Sequence, residues 1–150
     1  MPTNNTAEAA ATARLQSLQS HLSAPTMSAP KPPITCHVLD TSAGIPASNI
    51  PVTLSRLSGG ASVQSSTPPS VQKITTGVTD SDGRVGAWED TFEIKDGEVY
   101  TLRFETWEHF GGNTFFPYVE VVFVVKTEPS KHYHVPVLLA PWSYSTYRGS

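Results

Sequence analysis

From residue 34 onward, apolar and polar positions alternate along the chain, the pattern of strands whose two faces meet different surroundings. Residues 34–40 put Ile34, Cys36 and Val38 on one face and Thr35, His37 and Leu39 on the other. Residues 52–57 alternate likewise, and 73–79 predict a strand ending in Asp80-Ser81-Asp82-Gly83, a strong turn signal. Residues 99–106 align Tyr100, Leu102 and Phe104 on one face. Residues 118–125 are nearly all apolar and predict a strand buried on both sides. Two further strands, 133–139 and 143–147, are separated by the breaker Ala140-Pro141. Residues 41–49 carry turn chemistry, 58–69 read as a Gly-, Ser- and Pro-rich surface loop, and 107–111 predict one short helical turn stopped by Gly111-Gly112. About seven or eight strands with frequent turns and no long amphipathic helix predict an all-β sandwich.

Composition divides the chain where the alternation begins. Residues 1–33 contain no Phe, Trp, Tyr or Val and end in Ser28-Ala29-Pro30-Lys31-Pro32-Pro33. Such a segment cannot bury enough apolar surface to offset its ordering entropy. Residues 1–33 are therefore expected to be a disordered extension, and 34–150 the folded domain. The net charge of −3 divides into +1 for the extension (Arg14 and Lys31 against Glu8) and −4 for the domain. A nucleic-acid binder would show a basic stripe, so that class is excluded. No apolar run approaches the roughly 18–20 residues that cross a bilayer. The single cysteine, Cys36, excludes an intrachain disulfide and falls on the apolar face of its strand, where it reads as core rather than as a nucleophile.

The extension lacks the basic start and apolar core of a secretory signal. It does contain Arg14-Leu15-Gln16-Ser17-Leu18-Gln19-Ser20-His21-Leu22, which places Leu15, Leu18 and Leu22 on one side of a short helix. The nonapeptide resembles an amino-terminal peroxisomal targeting signal, which an import receptor reads. The resemblance implies a peroxisomal location; without it the expectation is cytoplasmic.

Polar residues interrupt the strand pattern at chemically interesting points. His37 and His134 each sit mid-strand on the face opposite the most apolar set, and Arg84 directly follows the 80–83 turn. His132 shares a face with His134 but lies beside Lys131 at the strand start, where it is expected to face solvent. Two chemistries fit. His-x-His with His37 suits a metal site. Alternatively, histidine titrates near neutrality and moves protons, while a nearby guanidinium holds an anion and keeps the imidazole neutral. Spacing alone does not choose between them.

Several blocks together are specific: His37-Val38-Leu39-Asp40 with Gly44-x-Pro46-Ala47, Thr79-Asp80-x-Asp82-Gly83-Arg84, Phe115-Phe116-Pro117, His132-Tyr133-His134-Val135-Pro136, and the terminal run from Ser143 to Tyr147-Arg148-Gly149-Ser150. In order and spacing they resemble the 5-hydroxyisourate hydrolases, transthyretin-like enzymes of urate breakdown. The resemblance covers 34–150. It implies a transthyretin-like β-sandwich of two four-stranded sheets with one short helix. It also implies a homotetramer, a dimer of dimers, with active sites in the channel between dimers. The catalytic set carries over as His37, Arg84 and His134, with Tyr147, Arg148, Gly149 and Ser150 binding the substrate. The implied reaction opens the six-membered ring of 5-hydroxyisourate with water, needs no metal or other cofactor, and gives 2-oxo-4-hydroxy-4-carboxy-5-ureidoimidazoline.

Two alternatives remain beside it. A transthyretin-type carrier of a small aromatic ligand has Lys, Glu and Thr where this chain has His37, Arg84 and His134, and lacks the terminal Tyr-Arg-Gly-Ser. A zinc hydrolase would use His37 and His134. Against the family pattern, the 58–70 loop reads as long, and residues 1–33 are not covered.

Overall fold

The computed structural model describes residues 31–58, 68–126 and 132–150. The 14–22 pattern and the middle of the 58–70 loop lie outside the described residues. Eight strands follow one another: β1 (Ile34–Asp40), β2 (Ile45–Pro46), β3 (Pro51–Leu57), β4 (Val71–Val78), β5 (Val99–Glu105), β6 (Tyr118–Val124), β7 (Tyr133–Ala140) and β8 (Ser143–Thr146). They form two four-stranded sheets, ordered β2-β1-β7-β8 and β4-β3-β5-β6. This is the all-β sandwich expected from the alternation.

All strand pairings are antiparallel except β1 with β7, which run parallel in the register Ile34↔Tyr133 to Asp40↔Leu139. Because side chains alternate, one face of each strand builds the core. Ile34, Cys36 and Val38 of β1 and Val135, Val137 and Leu139 of β7 meet Val52 and Leu54 of β3 and Leu102 and Phe104 of β5. Each fully buried Leu or Phe contributes about 1.5–3 kcal/mol. Cys36 is one of these core residues, and burial pushes its thiol pKa up to about 12. The opposite face of β1 and β7, with Thr35, His37 and His134, is only half-buried.

Two expectations change. β6 is not buried on both sides. Val119 and Val121 face the core, but Tyr118, Glu120, Val122 and Val124 are exposed. An apolar run indicates a central strand only if sheets or helices cover both faces; β6 is an edge strand and its outer face is open. The short helix is also absent among the described residues. Residues 107–112 form consecutive turns instead. Their hydrogen bonds change span at every step, from Phe110 N to Thr106 O, Gly111 N to Glu108 O and Gly112 N to Trp107 O. Gly111 and Gly112 both have positive φ, so no regular helix can propagate through them.

The turn segment is tied to β1 by a part-buried hydrogen bond. His109 Nε2 donates to Asp40 Oδ2 at 2.9 Å, while Asp40 Oδ1 accepts from the Ser42 and Ala43 amides. Among the described residues, no helix is long and apolar enough to cross a membrane.

Candidate active site

The parallel register places Thr35 opposite His134 and His37 opposite Pro136. His37 and His134 therefore emerge from the same face of the sheet, on adjacent strands. Their ring centroids lie 6.5 Å apart with planes inclined by 33°.

Arg84 reaches this face through a tightly specified turn. Buried Thr79 fixes the approach: its Oγ1 donates to Ala47 O and accepts from Ile50 N. Asp80 Oδ1 then accepts from the amides of Asp82 (2.9 Å) and Arg84 (3.0 Å). Gly83 lies at φ +72°, and a Cβ there would stand 2.2 Å from Val38 O. That closeness lets Val38 N donate to Gly83 O at 2.8 Å, and His37 and Arg84 form an antiparallel bridge. Backbone bonds thus hold Arg84 opposite His37, near enough for its charge to act on the imidazole.

The carboxyl-terminal run docks on β7. Gly149 N donates to His134 O at 2.9 Å. A Cβ on Gly149 would meet His134 Cδ2 at 2.6 Å, so only glycine allows the backbone to lie against that ring. Arg148 turns its guanidinium over the Tyr133 ring, 5.1 Å from its centroid. A groove of about 240 Å³ runs between β6 and this terminal run, lined by Phe123, Tyr133, His134, Tyr147 and Arg148 among others. Tyr147 and Ser150 are exposed. The structure therefore brings together His37, Arg84, His134 and Gly149, and directs Arg148 toward Tyr133 instead.

The surroundings of both histidines favour the neutral form. Burial lowers the pKa of His37 and the Arg84 charge lowers it further, against partial opposition from the Asp82 carbonyl and the Asp82 and Asp80 charges. Burial also lowers that of His134, followed by Arg84, His37 and His132. A neutral imidazole at physiological pH has a free nitrogen lone pair and can accept a proton.

Thr35 carries no signal of its own in the sequence, and His132 reads there as facing solvent. Thr35 Oγ1 is 2.9 Å from His134 Nδ1 and 3.1 Å from His132 Nε2. His132 is half-buried and joined to the site through this hydroxyl, not turned to bulk solvent. The only signal available was that Thr35 shares a face with His37. Its meeting with His134 depends on a parallel pairing across 99 residues of chain.

Among the described residues, no group of three or more His, Cys, Asp or Glu side chains is arranged to hold a metal ion. Two neutral imidazoles beside a guanidinium suit the activation of water next to a site that stabilises negative charge.

The sequence model of the HIUase/Transthyretin family matches residues 34–149. The 5-hydroxyisourate hydrolase of Mus musculus is 44% identical over 123 residues, covering 79% of this chain and 95% of the mouse protein. The uric acid degradation bifunctional protein TTL of Arabidopsis thaliana is 42% identical over 151 residues, covering 91% of this chain and 44% of the plant protein. Among solved structures, the 5-hydroxyisourate hydrolase of Klebsiella pneumoniae superposes with a TM-score of 0.60 at 32% identity, covering 78% of this chain and 98% of that one.

Proposed function

The chain belongs to the HIUase/Transthyretin family, and we propose that His37, Arg84 and His134 form the site at which it hydrolyses 5-hydroxyisourate. The protein is a hydrolase acting on this small molecule, a step of urate breakdown. The observation that supports the residue assignment is the convergence of two neutral imidazoles and one guanidinium on a single sheet face.

His134 removes a proton from water while His37 helps to orient that water. The hydroxide adds to a carbonyl carbon of the six-membered ring, and Arg84 stabilises the negative charge developing on its oxygen. Collapse of the adduct breaks the ring C–N bond. The leaving nitrogen takes the proton back from the imidazole, and the product carries a new carboxyl group. Tyr147, Arg148, Gly149 and Ser150 complete the substrate site, with Gly149 and the exposed Tyr147 and Ser150 nearest the flat ring. A transthyretin-type carrier would have no use for paired proton-transfer groups here.

The test is spectroscopic. Freshly made 5-hydroxyisourate decays on its own, and catalytic amounts of the protein should accelerate that decay. Protein that leaves the rate unchanged would refute the activity. H134A and R84A should each lose about 100-fold or more in kcat with the β-sheet spectrum retained.

Assembly as a homotetramer and import into peroxisomes complete the reading. Tetramer formation is favoured by the open face of β6 and by a half-buried site face that a partner would cover. Import is supported by the Arg14–Leu22 nonapeptide and its resemblance to an amino-terminal peroxisomal targeting signal. A reporter fused to residues 1–33 should enter peroxisomes and become diffuse with R14A. A diffuse parent fusion would refute import.

A further inference from the structure

The Thr35 hydroxyl stands between two imidazoles. It is 2.9 Å from His134 Nδ1 and 3.1 Å from His132 Nε2, with a third, longer contact of 3.5 Å to Tyr133 O. A threonine hydroxyl donates one proton and accepts through its oxygen. Its choice of partner therefore decides the tautomer of both rings. If it donates to His134, Nε2 of that ring carries the proton and cannot act as a base. If it donates to His132 or to Tyr133 O, His134 donates from Nδ1 and its Nε2 lone pair faces the substrate side. The arrangement that uses the two shortest contacts and leaves a base runs from His134 Nδ1–H to Thr35 Oγ1–H to His132 Nε2.

We propose that Thr35 is a positioning residue that holds His134 in its base-competent tautomer and relays the proton His134 acquires to His132. This rests on His134 being the base of the hydrolysis. In the first step, water loses a proton to His134 Nε2 as its oxygen bonds to the ring carbonyl carbon. His134 then passes its Nδ1 proton to Thr35 Oγ1, which passes its own to His132 Nε2. His134 ends neutral with a proton on Nε2, ready to donate to the leaving nitrogen when the C–N bond breaks. The two relay transfers then reverse. The positive charge waits on His132 instead of on His134, whose charged form is disfavoured by burial and by the Arg84 charge. Like-charge proximity makes the imidazolium costly at His134, and the relay removes it.

The test uses the full-length protein with nitrogen-15-labelled histidine, read first without substrate. In wild type, the His134 nitrogen shifts should report Nδ1 protonated and Nε2 free. T35V, which keeps the shape and removes the hydroxyl, should give a tautomer mixture. It should lower kcat by about 10–100-fold with KM within about threefold, as lost orientation of a reacting imidazole does. T35S should restore both the tautomer and most of kcat. H132F should keep the His134 tautomer, because Thr35 can still accept from it, yet lower kcat. A T35V protein with unchanged shifts and wild-type kcat would overturn the proposal, and so would an H132F protein with full kcat. If the wild type itself fails to accelerate decay, the hydrolase reading falls, while the nitrogen shifts still decide whether Thr35 sets the tautomer.

Discussion

Gly149 shows how a motif acquires a physical reason. In the sequence it is one letter of a terminal run. In the structure its missing side chain is what lets the chain end lie against His134, because a Cβ would sit 2.6 Å from Cδ2 of the ring and 3.2 Å from Pro136. G149A should displace the imidazole or the terminus. Overpacking of this kind costs about 1–3 kcal/mol. We expect a drop in kcat together with a lower thermal midpoint; equal kcat would show that the terminus does not position His134. The histidines make a second residue-scale prediction. Their pKa values are lowered by burial first and then by the Arg84 charge, with His37 and His132 adding to the effect at His134 and Asp82 and Asp80 opposing it at His37. Activity should therefore persist as pH falls through the ordinary histidine value near 6.5 and decline only below it. R84Q should move that acid limb upward, part of the way, since burial is the larger cause in both rings. The same shift bears on stability: below pH about 6.5 the unfolded chain binds protons that these rings refuse, so folding weakens on acidification. His37, Arg84 and His134 were legible because each broke a local pattern. Thr35 was not, since a threonine in a strand breaks none.

At the scale of elements, what the alternation could reach is local. Strand limits lie close to the predicted ones, and β1 coincides with its prediction. Pairing partners are not local, and the parallel β1–β7 contact that unites Thr35 with His134 has no signature in either strand. β6 reads as central from its own apolar run because exposure depends on what stacks above it. The 79–84 turn was legible as a turn, but its task of carrying Arg84 to His37 emerges only from the bond between Val38 N and Gly83 O. G83A tests this. The added Cβ would meet Val38 O at 2.2 Å in a backbone conformation with φ +72°, which side-chain-bearing residues adopt at a cost of about 1–3 kcal/mol. The expected result is a lower urea midpoint together with a loss of activity like that of R84A. Retained activity in a folded G83A protein would show that Arg84 does not need this turn.

At the scale of the molecule, the site is open where an enzyme for a reactive cyclic substrate needs enclosure. His37 and His134 lie on a half-buried sheet face, and the described residues place no second layer over it. Both sheets also end in exposed edge strands. β6 presents Val122 at 56% exposure and Val124 at 37%, and all four residues of β8 are exposed. An apolar edge left open invites pairing with another chain, and natural folds either blunt such an edge or cover it. β6 is the apolar one: it has no lysine or internal proline, and Glu120 is the one charge on its open face. Covering by further copies of the same chain meets both needs at once, closing the edges and walling the site face. The expectation is that wild type measures as four copies by light scattering. V122D should place a charge in the contact, reduce the mass toward a single copy at micromolar concentration, and lower kcat by about tenfold or more while the β-sheet spectrum persists. A wild-type monomer with full activity would sink the assembly. V122D that dissociates yet keeps wild-type kcat would instead place the complete site within one chain.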